Sequence, residues 1–235
     1  MKILAIETSA KSISAAVTED GHLLAYTYQH TGLTHSRTLM PMVESMLNNA
    51  ELKLADIDGF AVSHGPGSFT GLRIGISAVK GLAWTCGKPC CGVSTLEAMA
   101  QPLSHMKGTI ICAMDARRQQ VYNAIFTAGG GQLQRIAPDR AIALEELAEE
   151  VRALENPKIV VGDGAKLCFD YLSSHGIPCR LAPEHLQMQS AVGVAAAAEQ
   201  GPWVDAQELT PQYLRLSQAE RERLAREEQN KTNQT

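Results

Sequence analysis

Two carboxylates close apolar runs in this chain. Glu7 ends Ile3-Leu4-Ala5-Ile6 and is followed by Thr8 and Ser9, and Asp115 ends Ile111-Cys112-Ala113-Met114. An acid at the end of a strand, with a short turn and a second strand behind it, can aim its oxygens at a metal-bound phosphate or an attacking water. It can equally be a turn acid that accepts hydrogen bonds from the hairpin's own amides. Asp163 follows another apolar run. Arg117 and Arg118 come directly after Asp115, so Arg117 is placed to pair with that acid and hold the turn.

The most specific local feature is Ser63-His64-Gly65-Pro66-Gly67-Ser68-Phe69-Thr70-Gly71-Leu72-Arg73-Ile74-Gly75, with a strand leading in and a helix leading out. Backbone amides at a helix N-terminus favour anions, so Gly65, Gly67 and Ser68 could hold a phosphate. No Gly-Lys-Ser/Thr follows, so this is not a P-loop. The competing reading is a tight strand-to-helix turn whose glycines let the backbone approach its neighbours.

Metal chemistry finds little support. No HxxxH or HExxH occurs, and His30 and His35 are five apart across Gly32, which puts them on different faces of any helix. The six cysteines (Cys86, Cys90, Cys91, Cys112, Cys168, Cys179) form no C-x-x-C pair. They read as reduced thiols of a cytosolic protein. We expect no bound metal and no cofactor.

The elements that position these residues repeat. Strand, acid, short turn and second strand recur at an offset of 108 residues, from Ile3 to Ile111, and the segments that follow match too. Each half reads as β-β-β-α-β-α. In the first half the third strand is 22–28, the helix 35–49 and the fourth strand 57–63. In the second the third strand is 132–136, the helix 144–154 and the fourth strand 158–162. Three antiparallel strands followed by crossover helices give an α/β protein with a mixed sheet in each half. Two such lobes facing across a cleft make a two-lobed actin-like fold. The joint falls at 101–107, which divides the chain into a lobe of 1–104 and a second lobe of 105–235 with a C-terminal helical tail.

Two helices of the first half are apolar over more than the ~100° that one buried face needs. On the helix 35–49, Leu39, Val43, Met46 and Leu47 make a core stripe, and Met40 and Met42 widen it. On the helix 71–84, Leu72, Gly75, Ile76, Val79, Leu82 and Ala83 share one arc, Ile74 and Ala78 extend it, and Arg73, Ser77 and Lys80 form a narrow polar stripe. Either both helices are deeply buried, or the surplus is a docking face for another subunit, centred on His35, Leu39, Met42, Val43, Met46, Leu72, Arg73, Ile76, Ser77 and Lys80.

About 45% of the 235 residues are apolar and 20% charged, as in a globular protein with its own core. No apolar run reaches the ~18 residues of a membrane span, and the first ten residues lack a signal-peptide pattern. The net charge of −4 argues against a chain that grips RNA by bulk charge. The basic cluster Arg215, Arg221, Arg223, Arg226 and Lys231 is interleaved with Glu220, Glu222, Glu227 and Glu228, as on a solvated helix.

KILAIETSAKSISAAV, HSRTLMPMVESML, GPGSFTGLRIGISAVKGLA, VSTLEAMA, DARRQQVY and TPQYLR, in this order along the whole chain, resemble the TsaB family. The resemblance implies the two-lobed actin-like fold, a degenerate nucleotide site at Glu7, Thr8, Ser9, Gly65, Gly67, Ser68 and Asp115, and no catalytic residues. It implies a cytoplasmic, non-catalytic subunit of the complex that makes N6-threonylcarbamoyladenosine beside the tRNA anticodon. The expected partners are TsaD in a heterodimer and TsaE in a larger complex, with tRNA met only indirectly and no membrane. Because TsaD shares the fold, the chain alone is expected to form a homodimer through the same face. The alternative is an active actin-like phosphotransferase; a metallopeptidase lacks ligand spacing.

Overall fold

The computed structural model describes residues 1–154 and 157–215. The basic cluster from Arg221 to Lys231 lies outside them. β1 (Lys2–Glu7), β2 (Ile13–Glu19) and β3 (His22–Gln29) form an antiparallel meander. β4 (Gly59–Gly65) and β5 (Cys90–Ser94) extend it in parallel on the other side of β1, giving the order β3-β2-β1-β4-β5. β6 (Gly108–Asp115), β7 (Gln120–Gly129), β8 (Gln132–Ala143), β9 (Lys158–Val161) and β10 (Arg180–Leu181) repeat that order and those directions as β8-β7-β6-β9-β10. Duplicated mixed sheets of this topology are the two-lobed actin-like architecture. Each half runs one strand further than the sequence pattern suggests, through β5 and β10. The two residues of β10 are too few to show a period.

α1 (His35–Asn49) and α2 (Phe69–Cys86) cover the outer face of the first sheet, and α4 (Leu144–Arg152) and α5 (Ala165–Ser174) cover the outer face of the second. α3 (Thr95–Ala100), α6 (Glu184–Gln187) and α7 (Ala191–Ala198) complete the chain. α2 starts two residues before the pattern suggests, because the Ser68 hydroxyl caps it by accepting from the Gly71 amide. It stops at Gly87, whose left-handed backbone (φ 62°) closes the last turn. Strand β8 runs to Ala143, well past the expected 136, through two register shifts.

The helices after the fifth strands cross over. α3 packs its Leu96, Met99 and Ala100 onto the second sheet, and α7 packs Ala191, Val194 and Ala198 onto the first. α3 and α7 also pack on each other, so the lobes are joined by a shared apolar layer. The chain then returns along the first lobe. Val204 bridges Cys90 at the free side of β5, Lys80 Nζ donates to the carbonyls of Gln207 and Leu209 (3.3 and 3.1 Å), and the Gln212 amide donates to His64 O (2.7 Å). A cut at 104/105 therefore separates the two sheets, while residues 191–212 pack with the first.

Candidate functional site: an interlobe cleft and an outer helical face

The two acid-ended hairpins meet across a cleft of about 610 Å³. Its walls are Ser9, Ala10 and Lys11 from the β1–β2 turn, Gly67 to Thr70 from the start of α2, and Met114 to Arg117 with Tyr122 from β6 and β7. Asp163 and Arg215 complete it. The two strand-end acids have different surroundings. Asp115 is exposed, and its Oδ1 accepts the Arg117 amide at 2.7 Å. The turn is thus held by the backbone of Arg117. Its guanidinium has no carboxylate partner among the described residues. Glu7 is wholly buried, does not line the cleft, and accepts the Ser9 amide at 2.5 Å. Burial pushes its carboxyl up from the ordinary range, against the pull of Ser9, Ser63 and His35. Glu7 Oε2, Ser9 Oγ, Ser63 Oγ and His35 Nδ1 are all buried without a hydrogen-bond partner. Asp163 is likewise shifted up by burial, and its Oδ1 accepts Gln189 Nε2 at 3.0 Å.

The Gly-rich loop is packed against the β1–β2 turn. The Ser68 amide donates to Ser9 O (2.7 Å), Thr8 Oγ1 donates to Gly71 O (2.9 Å), and Ser68 Oγ takes the Gly71 amide. A Cβ on Gly67 would stand 2.6 Å from Ser9 O, and one on Gly71 2.1 Å from Thr8 O. These glycines are required by close backbone approach. Two of the amides that would cradle a phosphate are bonded inside the protein. Gly65 (φ 140°) faces Gln212 O, so it too serves packing. Of the seven residues read as a nucleotide site, Ser9, Gly67, Ser68 and Asp115 line the cleft, and Glu7, Thr8 and Gly65 lie behind it.

On the outer face the widened apolar stripes point inward. Leu39, Met42, Val43, Met46, Leu72 and Ile76 all belong to the core of the first lobe; Met42 is 7% exposed, whereas Met40 is 44% exposed. Those six are therefore core, and of the ten residues read as a docking face Arg73 and Ser77 are exposed. Lys80 is tied to the returning chain, Arg73 Nε donates to Tyr213 Oη (2.9 Å), and His35 Nε2 meets Ala10 O (2.8 Å). The outward stripe of α2 runs through Ile74, Ser77, Ala78, Gly81 and Trp84 at helical spacing. Trp84 is 70% exposed, and a Cβ on Gly81 would meet nothing within 4 Å.

The model of the family described as TsaD, tRNA N6-adenosine threonylcarbamoyltransferase, matches residues 29–220. The tRNA threonylcarbamoyladenosine biosynthesis protein TsaB of Bacillus subtilis is 32% identical over 94% of this chain and 96% of its own length. Its Escherichia coli counterpart is 33% identical over 77% and 79%. The chain belongs to the TsaB family. A Pseudomonas aeruginosa crystal structure, described as an uncharacterized protein with similarity to the peptidase YeaZ, superposes with a TM-score of 0.74. It is 26% identical and covers 91% of this chain and 99% of that one.

For a TsaB-family chain, the geometry adds residues that the motifs alone did not single out. Lys11, Tyr122 and Arg215 line the cleft with Asp115 and Asp163. The repeat could have signalled Lys11, since it sits in the first hairpin turn where Gln119 sits in the second. TPQYLR could have signalled Arg215, whose Nη1 reaches Ala116 O of the opposite lobe at 2.6 Å. Among the described residues no three His, Cys, Asp or Glu side chains cluster closely enough to hold a metal. The cysteines are all free; burial pushes Cys91 up to about 11 and Cys168 to about 12, which makes them inert thiols. No described helix is long and apolar enough to cross a membrane.

Proposed function

We propose that this chain is a cytoplasmic, non-catalytic subunit of the complex that forms N6-threonylcarbamoyladenosine in tRNA, and that it binds and supports TsaD. The observation that carries the reading is the match to TsaB over nearly the whole of both chains, joined to an outward α2 stripe with an exposed tryptophan. Ile74 and Trp84 stand ~15 Å apart on the stripe, with only small residues between them. A helix of a same-fold partner could lie close there, with the α1 edge around Met40 beside it. Two helices from each side would bury a small four-helix bundle. The same face can pair two copies of this chain, so homodimer and TsaD heterodimer compete. TsaE joins the larger complex, and tRNA is met through it. A working phosphotransferase is disfavoured, because the loop amides that would hold a phosphate are bonded to Ser9 and Ser68.

The test is complex formation with TsaD of the same organism, and tRNA modification with and without this chain. Ser77→Arg and Met40→Glu should each weaken association tenfold or more while the fold is kept. Met42→Glu is unsuited to this purpose, since a charge buried in the lobe core costs several kcal/mol of stability. Normal association by both surface variants would place the interface elsewhere, and modification that proceeds equally well without the chain would sink the subunit reading.

A further inference from the structure

The interlobe cleft carries a charge pattern that the subunit reading does not use. Lys11, Arg117 and Arg118 are exposed, and neither they nor Arg215 have a carboxylate oxygen within 4.0 Å among the described residues. Lys11 comes from the first lobe's hairpin turn, and Arg117 and Arg118 come from the equivalent turn of the second. Lys11 and Arg117 thus line the cleft from opposite lobes, with Arg215 beside them. Two acids share the space. Asp115 is bonded to the Arg117 amide, and Asp163, half-buried with its carboxyl held by Gln189, faces Lys11. Lys11, Arg117 and Arg215 against two acids, in a chain whose net charge is −4, is a local reversal of sign.

The cationic turn is also strained. Arg117, Arg118 and Gln119 are consecutive left-handed residues (φ 64°, 54° and 55°), and none is glycine. Each costs roughly 1–2 kcal/mol relative to ordinary backbone. Strain of this kind is kept where it aims side chains that matter. Here the strained turn is the one that carries Arg117, which lines the cleft.

Flat aromatic faces complete the site. Tyr122 lines the cleft with Arg215 lying over its ring, and Phe69 lines it with Tyr213 stacked behind at 4.3 Å. Cations interleaved with aromatic faces suit a strand of phosphates and bases, since phosphates take the charges and bases stack. An acidic peptide would use the cations and leave the rings idle. A free nucleotide would need a cradle of amides for its phosphates, and the Ser68 and Gly71 amides are already bonded.

We propose that this cleft takes an unpaired segment of RNA, with phosphates against Lys11, Arg117 and Arg215 and a base between the Tyr122 and Phe69 walls. This deepens the reading above, on which it rests: the chain would touch the tRNA itself in addition to supporting the subunit that modifies it. The volume, about 610 Å³, is of the size that holds one small ligand such as a nucleotide unit.

The experiment is a titration of the full-length chain, alone and in complex with TsaD, against a fluorescently labelled RNA hairpin with an unpaired loop, over a series of KCl concentrations. The variant is Lys11→Ala with Arg117→Gly. Glycine accepts the left-handed conformation, so this variant should keep or raise its melting temperature, which separates lost binding from lost folding. RNA affinity should fall about tenfold or more, and the slope of log K against log salt should drop by about 1.4, for two lost single-strand phosphate contacts. Wild-type affinity in the variant, no salt-dependent binding by the native chain, or displacement of the RNA by an equal concentration of ATP would each overturn the proposal. Pairing with TsaD is measured on the same samples. A chain that pairs with TsaD and ignores RNA refutes only this inference, and one that binds RNA but does not pair refutes only the subunit reading.

Discussion

Gly81 offers a substitution with opposite effects on fold and on docking. It lies in the interior of α2, in the middle of the outward stripe, and a Cβ there would meet nothing within 4 Å. Glycine in a helix interior costs about 0.5–1 kcal/mol relative to alanine, because it loses more backbone freedom on folding. With open space around it, Gly81→Leu should therefore stabilise the isolated chain by about 0.5–1 kcal/mol, or a rise of ~1–4 °C in Tm for a chain of this size. Against a partner helix the same leucine is an obstruction. Helix axes that approach over small residues cannot do so over a branched side chain, and overpacking costs typically ~1–3 kcal/mol, or about five- to 150-fold in Kd. Differential scanning fluorimetry reads the first effect and calorimetric titration with TsaD the second. A more stable chain that binds TsaD less well is the expected result. A variant that binds TsaD as tightly as wild type would show that the α2 stripe is not the interface, and the exposure of Trp84 would then need another explanation.

The same helix supplies a contrast. Gly71→Ala should lower Tm, because its Cβ would fall 2.1 Å from the Thr8 carbonyl oxygen and force the β1–β2 turn away; the net loss should be ~1–3 kcal/mol in chemical denaturation, and an unchanged midpoint would mean the loop is not packed as described. Glu7 should give stability a downward slope with pH. Its folded-state carboxyl titrates above the 4.5 of the unfolded chain, so the folded state binds the extra proton. Its contribution is complete at or below that value and is lost as pH rises through the folded titration. Glu7→Gln should be more stable than wild type at pH 8 and no more stable at pH 4, with a flatter profile between; parallel denaturation profiles for the two proteins would show that Glu7 is not buried as the neutral acid.

How much of this was readable in advance depended on whether a feature repeats along the chain or is assembled across it. The strand, acid, turn and strand unit recurs at Ile3 and Ile111, and a duplicated period survives even where single residues differ, so both sheets were legible. Their fifth strands, β5 and β10, were not; in β10 two residues that pair only with β9 carry no period. The side of α1 that faces the sheet was nearly legible. Leu39, Met42, Val43 and Met46 stand at i, i+3, i+4 and i+7 of one buried face, and Met40 falls outside it. Treating Met42 as surplus width confused a broad core contact with a second surface. The cleft was the least legible, for a different reason. In the sequence Arg117 stands out only as a neighbour of Asp115 and Arg215 only as one of a basic run, and Lys11 does not stand out at all. They meet because two equivalent hairpin turns face each other and the returning chain reaches the cleft, with Arg215 bonded to Ala116 of the far lobe. The chain's overall negative charge spoke against RNA contact as an average over the surface. Affinity for phosphates is set by the local arrangement of cations, and a fold built by duplication brings its matching turns, and whatever charge they carry, to one place.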